Sequence, residues 1–333
     1  MKATIVDVAR AANVSKATVS RVINNKTNVS EEVRKRVLAA IEELQFRPSA
    51  VARNLSNSMT NMIGLIMPDI TNPFFPVLAR GIEDAAHTMG YTLFLSNTDN
   101  DPDVELEYVR KMAEQQVAGI ILISSSFTEQ RASELLDFNI PIVLCDRSGE
   151  ETPFDTVTID HYKAAYEAVA YLIGKGHRNI CHLSGPVSAQ TADFRKKGYV
   201  DAMNDANLTP VVSYGMFSYE SGYQQMNEVL EKGTGDIPTA VFGGNDLIAL
   251  GAIHAIEKSG RSVPGDIAVI GFDDILFAQM SKPLLSTVNI PAYQLGVTAM
   301  KTMNDRIKGV RAKKKSIVLD HKLIIRESCG REE

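Results

Sequence analysis

Residues 2–30 read KATIVDVARAANVSKATVSRVINNKTNVS, and residues 46–58 read FRPSAVARNLSNS. Thr4 followed by Asp7 makes a capping-box-like start, and Val8, Ala9 and Ala12 then recur at helical spacing, which predicts a first helix over roughly 5–12. Asn13-Val14 supplies a tight turn, and Ser15 is placed to cap a second helix whose inner face carries Val19, Val22 and Ile23. The other face of that helix shows Lys16, Ala17, Ser20 and Arg21. Ser30 starts a third helix with Val33, Val37, Ile41 and Leu44 as its inner stripe, and Pro48 lies beyond its end. Three short helices in this order, two of them joined by a tight turn, predict an all-α helix-turn-helix headpiece over residues 1–48.

The outer face of the second helix combines two cations, a hydroxyl and a methyl. These are the groups that meet phosphates, guanine and the thymine methyl in a major groove. The plain alternative is a three-helix packing module with no nucleic acid in view, and charge argues against it. Residues 1–60 hold ten Lys or Arg against five Asp or Glu, a balance of +5, while the remainder holds 25 against 35, a balance of −10. The overall charge of −5 therefore hides a basic head on an acidic body. Residues 49–60 read as a hinge and linker: Ala50, Val51, Ala52 and Leu55 make a small apolar helical face on a stretch too short to be helical alone in water. That segment is expected to order on binding. The alternative for Leu55, a core residue of a folded linker, sits poorly with its polar neighbours and Arg53.

The chain's 333 residues leave room for the headpiece and about two further domains. No basic stretch followed by an apolar one opens the sequence, and apolar runs such as 119–123 are too short to cross a bilayer, so a soluble protein with no membrane partner is expected. Cys145, Cys181 and Cys329 are odd in number and unclustered, which suggests neither a disulfide framework nor a zinc site and fits a reducing cytoplasm.

From Asn61 onward, short apolar runs alternate with amphipathic helical stretches. Runs 62–67, 91–96, 119–123 and 141–145 read as buried parallel strands, separated by helices near 74–89, 103–116 and 129–138. The alternation returns after His161, with strands near 179–183, 212–217, 239–242 and 267–271. This predicts an α/β body over residues 61–330 made of two doubly wound parallel-sheet lobes, with a ligand cleft at the carboxyl ends of the strands. Asn72, Phe74 and Phe75 follow the first body strand, Asp146 and Arg147 follow the fourth, and Arg195, Phe217, Asn245 and Asp273 fall at matching positions in the second lobe. Aromatic faces of this kind sandwich a sugar ring, while Asp, Arg and Asn pair its hydroxyls. The alternative is a buried Asp146-Arg147 ion pair with the phenylalanines in the core.

The headpiece motif, the hinge segment and the body pattern together resemble the LacI/GalR family of bacterial transcription regulators over essentially the whole chain. The resemblance implies that Lys16, Ala17, Ser20 and Arg21 read the major groove, that Thr18 contacts phosphate, and that Thr4, Ser15 and Asn24 complete the DNA-facing set. It implies that Ala52 and Leu55 form a minor-groove pair in a hinge helix, where an apolar wedge kinks DNA. The body resembles the periplasmic-binding-protein fold. That fold implies discontinuous lobes, roughly 61–160 with 290–319 and 161–289 with 320–330, and makes the cleft residues above the effector positions. In those motifs the chain is most similar to ribose-operon-repressor-like members. One departure is Ile290 before Pro291, where the family often has Gln; either Asn289 compensates or the ligand presents one hydroxyl fewer.

The function implied is that of a homodimeric bacterial repressor of carbohydrate-use genes. It would bind palindromic operator DNA in the cytoplasm, at the nucleoid, under control of a monosaccharide effector: ribose, another pentose or hexose, or a sugar phosphate. Within the family the alternatives are a purine-responsive regulator and a catabolite-control type that takes a phosphorylated carrier protein as corepressor. A sugar carrier or enzyme is the alternative from another class. No HExxH, P-loop, GxSxG or dinucleotide fingerprint is present. Asp273-Asp274 reads as one sugar-binding Asp and a neighbour pointing away, His177 as a turn residue, Cys145 as a small core hydrophobe, and His161 and His182 lack partners at metal spacing. The basic run 308–315 reads as a solvated loop or a secondary phosphate contact. No catalytic set, cofactor or metal is expected.

Overall fold

The computed structural model describes residues 3–23, 28–46, 60–123, 128–146, 152–231, 237–310 and 313–330. The chain divides into two compact units, Met1–Thr60 and Asn61–Glu333.

In the first unit, helices α1 (Ile5–Ala11), α2 (Lys16–Ile23) and α3 (Glu31–Glu43) follow one another as the sequence predicts. The capping box closes in full. The Thr4 hydroxyl and backbone N–H both donate to Asp7 Oδ2 at 2.7 and 2.9 Å, and the Asp7 N–H returns to Thr4 Oγ1 at 3.4 Å. Those bonds from Thr4 hold the Asp7 carboxyl below the usual carboxylate range. Asn13 turns the chain at φ 50°, a left-handed conformation that Asn tolerates. Thr18 N–H then donates to Ser15 Oγ at 3.1 Å, and Val33 N–H donates to Ser30 Oγ at 3.4 Å, so each of the later helices is also capped by its predicted residue. None of the three is long enough to persist alone in water. Burial of Val8, Ala9, Ala12, Val19, Val22, Val37 and Ala40 in one small core holds them.

The second unit is built on two six-stranded sheets. In chain order its elements are β1 (Met62–Met67), α4 (Phe74–Thr88), β2 (Thr92–Asn97), α5 (Pro102–Glu114), β3 (Gly119–Leu122), α6 (Glu129–Leu136), β4 (Ile142–Cys145) and β5 (Asp155–Ile159). There follow α7 (His161–Gly174), β6 (Ile180–Ser184), α8 (Gln190–Asp205), β7 (Val211–Tyr214), α9 (Tyr219–Glu231), β8 (Ala240–Gly243), α10 (Asp246–Lys258) and β9 (Ala268–Asp273). After a 3-10 turn at Leu276–Gln279 come β10 (Ser286–Asn289), α11 (Ala292–Ile307), β11 (Ser316–Leu319) and β12 (Lys322–Ile324). Strand order is β11-β5-β4-β3-β1-β2 in one sheet and β12-β10-β9-β8-β6-β7 in the other. All pairings are parallel except β10 with β12.

Helices on both faces leave the central strands fully buried, which is why MIGLIM, GIIL and IVLC carry no polar alternation. Sheet membership makes the chain pass between the lobes at Asp160, at Ile290-Pro291 and at Asp320. Such crossings put the carboxyl ends of both sheets on either side of one cleft. Among the described residues no helix is long and apolar enough to cross a membrane, and no group of three or more His, Cys, Asp or Glu is placed to hold a metal ion. Cys145, Cys181 and Cys329 are each buried.

Candidate nucleic-acid interface and ligand cleft

In the first unit, Val19 and Val22 anchor α2 by its inner face, leaving Ser15, Lys16, Ala17 and Arg21 exposed and Thr18 and Ser20 half-buried beside them. The first turn of α2 contains no acid, so the positive end of its helix dipole is not offset there. Neither Lys16 nor Arg21 makes an ion pair among the described residues, and both cations are available to an external anion. Ser15 and Thr18 share a hydroxyl hydrogen bond of 2.9 Å. Thr4 is exposed, but its hydroxyl is committed to Asp7, so its first duty is the cap. Asn24, Ala52 and Leu55 lie outside the described residues.

In the second unit a cavity of about 160 Å³ opens at the carboxyl ends of the strands. Asp69, Asn72 and Phe75 after β1, Asn100 after β2 and Asp146 after β4 line one side. Thr191 after β6, with Met216, Phe217 and Ser218 after β7, line the other. The two phenylalanines thus come from opposite lobes. The Phe217 ring lies against Gly185, where any Cβ would collide with it, so that glycine is what lets the ring seat. Backbone strain gathers at the same edge: Asp146, Asp273 and Asp274 all have positive φ, at 56, 113 and 56°. Side chains held in this region at strand ends commonly mark a ligand site.

Behind the cavity a buried polar chain links the lobes. Asp146 Oδ1 lies 3.1 Å from His161 Nε2, Arg195 Nε lies 3.4 Å from His161 Nδ1, and Arg195 Nη2 lies 3.3 Å from Asp273 Oδ1. Arg195 also donates to Gly244 O at 2.6 Å and stacks on the Phe272 ring at 3.9 Å. A guanidinium can only donate, so Nδ1 of His161 accepts, Nε2 carries the hydrogen, and the imidazole is neutral. Complete burial, which pushes its pKa down, favours that form. Burial also pushes the Asp273 carboxyl up to about 7, outweighing the opposing pull of Arg195.

The predicted cleft residues therefore divide. Asn72, Phe75, Asp146 and Phe217 line the cavity, while Arg195 and Asp273 lie in the polar chain behind it. Phe74 is buried, its ring edge-on to Phe75 at 5.3 Å, and it is absent from the cavity wall because its side chain joins the core beneath α4. The buried side chain of Asn245 accepts from Ile248 N–H at 2.9 Å and caps α10. Arg147 lies outside the described residues. Asn289 donates to Asp274 at 3.0 Å, and Asp274 in turn pairs with Arg326 at 2.6 Å, so the adjacent carboxylates Asp273 and Asp274 do diverge. Asp69, Asn100, Thr191, Ser218 and the bridging His161 were not singled out as cleft residues by the sequence. His161 has a local signal, as the first helical residue after a buried polar strand, but its partners lie across the fold.

The other reactive residue types have structural duties. Cys145 is fully buried and its thiol is pushed well up by that burial. His177 Nδ1 lies 3.0 Å from Thr239 Oγ1 in the turn after α7.

Comparison with known proteins agrees with both units. Residues 4–49 match the family described as bacterial regulatory proteins, lacI family. Residues 60–327 match periplasmic binding proteins and sugar binding domain of LacI family. Catabolite control protein A of Priestia megaterium is 40% identical, across 98% of this chain and 99% of that protein. The HTH-type transcriptional repressor PurR of Yersinia enterocolitica is 39% identical, across 98% and 97% respectively. The lac repressor dimer, solved bound to operator and the anti-inducer ONPF, superposes with a TM-score of 0.88 at 29% identity, covering 99% of this chain and all of that one. These relatives are transcriptional regulators, and the two sequence relatives are of catabolite-control and purine-repressor type, so they do not support the ribose-operon subtype that the cleft motifs suggest. A helix-turn-helix unit with a free basic face, joined in sequence to a two-lobed ligand-binding body, places this chain in the LacI family of DNA-binding bacterial transcriptional regulators.

Proposed function

We propose that this regulator is a homodimeric repressor whose cleft takes a small polyhydroxylated effector, a monosaccharide or its phosphate. The observation that carries the reading is the cavity between Phe75 and Phe217, one ring from each lobe, edged by Asn72, Asp146, Asp69 and Thr191. Opposed aromatic faces cover the two apolar faces of a sugar ring, and the carboxylates and amide take its equatorial hydroxyls. In the headpiece Lys16, Ala17, Ser20 and Arg21 read bases, Thr18 holds phosphate, and Thr4, Ser15 and Asn24 flank them. Ala52 and Leu55 enter the minor groove from a hinge at 49–60. The lobes comprise 61–160 with 290–319 and 161–289 with 320–330, a division supported by the sheet membership of β11 and β12. Ligand closing the lobes changes whether the hinges fold together on DNA, provided it binds the two lobe arrangements unequally. The protein acts in the bacterial cytoplasm, on a palindromic operator at the nucleoid.

A second reading has support of its own. His161 bonds to Asp146 and Arg195, and Arg195 pairs with Asp273, which commits part of the polar set to protein partners, and catabolite control protein A is 40% identical. A catabolite-control regulator that takes a phosphorylated carrier protein as corepressor fits both facts. One experiment separates the two readings: thermal shift of the full-length protein against pentoses including ribose, hexoses, sugar phosphates, purines and a phosphorylated carrier protein. A ligand at a hundredfold excess over its Kd adds about 2.7 kcal/mol, well within detection. A shift with one sugar supports the first reading. A shift with the carrier protein alone moves the assignment to the second, and a purine shift overturns the sugar.

A further inference from the structure

Asp246, the first residue of α10, is completely buried and is absent from the cavity wall. Burial and the neighbouring Asp273 push its carboxyl well above the ordinary carboxylate range. An acid kept in such a place costs stability that an apolar side chain of similar volume would not. The surroundings are nonetheless shaped to receive it. A Cβ on Gly271 of β9 would collide with Asp246 Oδ1, and Thr287, the register partner of Gly271 on β10, donates its hydroxyl hydrogen to that same oxygen at 2.5 Å.

The other carboxyl oxygen, Oδ2, accepts the Ile275 N–H at 2.8 Å. The Thr287 oxygen in turn accepts the Asp274 N–H at 3.4 Å. One side chain thus holds two consecutive backbone N–H groups, the second directly and the first through a hydroxyl. Both belong to the turn in which Asp273 and Asp274 stand in succession at φ 113 and 56°, a conformation that side chains disfavour. On its other side the turn is held by the Asp274 carboxylate, which takes Arg326 at 2.6 Å and Asn289 at 3.0 Å. Held in this way, Asp273 faces Arg195 at 3.3 Å, and Arg195 connects through His161 to Asp146 in the cavity wall. The shape of the turn therefore decides where one end of the polar chain behind the cavity is placed.

Given the reading of the cleft as an effector site, we propose that Asp246 is a positioning residue for it: by anchoring the Asp274 and Ile275 N–H groups it fixes the left-handed turn that sets Asp273 against Arg195. It touches no effector, and the affinity of the cleft depends on it.

The test uses full-length protein, calorimetry with D-ribose, D-xylose, D-glucose and D-galactose, and hydrogen exchange measured by mass spectrometry over peptides spanning residues 272–281. Asp246→Ala removes both acceptors. Exchange in those peptides should quicken, and affinity for whichever of the sugars wild type binds most tightly should fall about tenfold. Asp246→Asn keeps an oxygen for the Ile275 N–H and offers an amide hydrogen to Thr287, so it should restore both. Ile256→Ala opens a cavity in the core at the far end of α10, lowers the melting temperature and should change neither. If Asp246→Ala does not fold, Thr287→Val cuts the link to the Asp274 N–H with little change of shape and should show both losses. Undiminished sugar affinity in Asp246→Ala overturns the proposal. So does an equal loss in Ile256→Ala, which makes the effect one of general stability. If wild type binds none of the sugars, the monosaccharide reading of the cleft falls and exchange alone decides: faster exchange in Asp246→Ala but not in Ile256→Ala upholds the anchor, and equal rates overturn it.

Discussion

His182 and Asp273 show how burial sets the chemistry of single residues here, with opposite signs. His182 Nδ1 lies 2.9 Å from the Phe242 carbonyl, which can only accept, so the neutral ring carries its hydrogen on Nδ1 while stacking on Phe242 and packing at a tilt against Tyr199. Burial pushes its pKa down from 6.5 to about 4. The unfolded chain therefore takes up a proton that the folded one refuses, and the stability held above pH 6.5 is lost as pH falls toward 4. Asp273, raised from 3.8 to about 7, works the other way: it favours the folded state at low pH and loses that contribution as pH rises from about 4 to about 7. His182→Gln should isolate the first effect. Its melting-temperature deficit relative to wild type should shrink as pH falls from 7 to 4, and a deficit independent of pH would show that His182 does not titrate in this range. On the first unit, Arg21 is exposed and has no ion pair among the described residues. If it pairs with a guanine, Arg21→Ala loses about 1–3 kcal/mol of discrimination at one operator position. Titration across operator variants that shows uniform weakening instead makes it a phosphate contact. Residue identity alone could not tell Asn72 from Asn245. Both follow strands and both accept a backbone N–H at a helix start, yet only Asn72 reaches the cavity, because cap and ligand positions draw on the same residue types.

At the scale of the element, the most legible parts were those whose signal is local. The capping box of α1, the Ser15 and Ser30 caps and the left-handed Asn13 lie within a few residues of what they cap, and each stands where the sequence placed it. Loss of the first is measurable. Thr4→Ala removes both the acceptor for Asp7 N–H and the donor to its carboxylate, and should cost about 1 kcal/mol. In a unit of this size that is a large share of the total. Calorimetry of the full-length protein should show the headpiece transition moving down while the body transition stays, and a common shift of both would mean the two units unfold together. The strands β5, β10, β11 and β12 were not legible. Their sequences, DTVTI, STVN, SIVL and KLI, are short and rich in hydroxyls or charge, so a search for apolar runs passes over them. Thr156 and Thr158 are nonetheless buried, because their hydroxyls bond to Ser316 and to the Ile159 carbonyl. Pairing partners 160 residues away supply what the local sequence lacks.

At the scale of the molecule, periodicity reveals two sheets but not that the chain returns to each of them, since a crossing such as Ile290-Pro291 leaves no mark on the spacing of apolar residues. The same holds for association. Leu276, Phe277 and Met280 are 64, 49 and 66% exposed on and just after the 3-10 turn that follows β9, a cluster of large apolar side chains left uncovered by the described residues. A second copy related by a two-fold axis would bury the same patch on both partners, and two-fold symmetry is what a palindromic operator requires of its reader. Met280→Glu puts a charge into that contact without touching the core. It should convert the dimer to monomer in sedimentation at micromolar concentration, with the melting of the isolated subunit unchanged. Operator binding should then weaken, and the slope of log K against log salt should fall to about half, because one headpiece neutralises half as many phosphates as two. A variant that stays dimeric places the subunit contact on another face. A monomer that keeps the full salt slope shows instead that both headpieces assemble on DNA without the body's help.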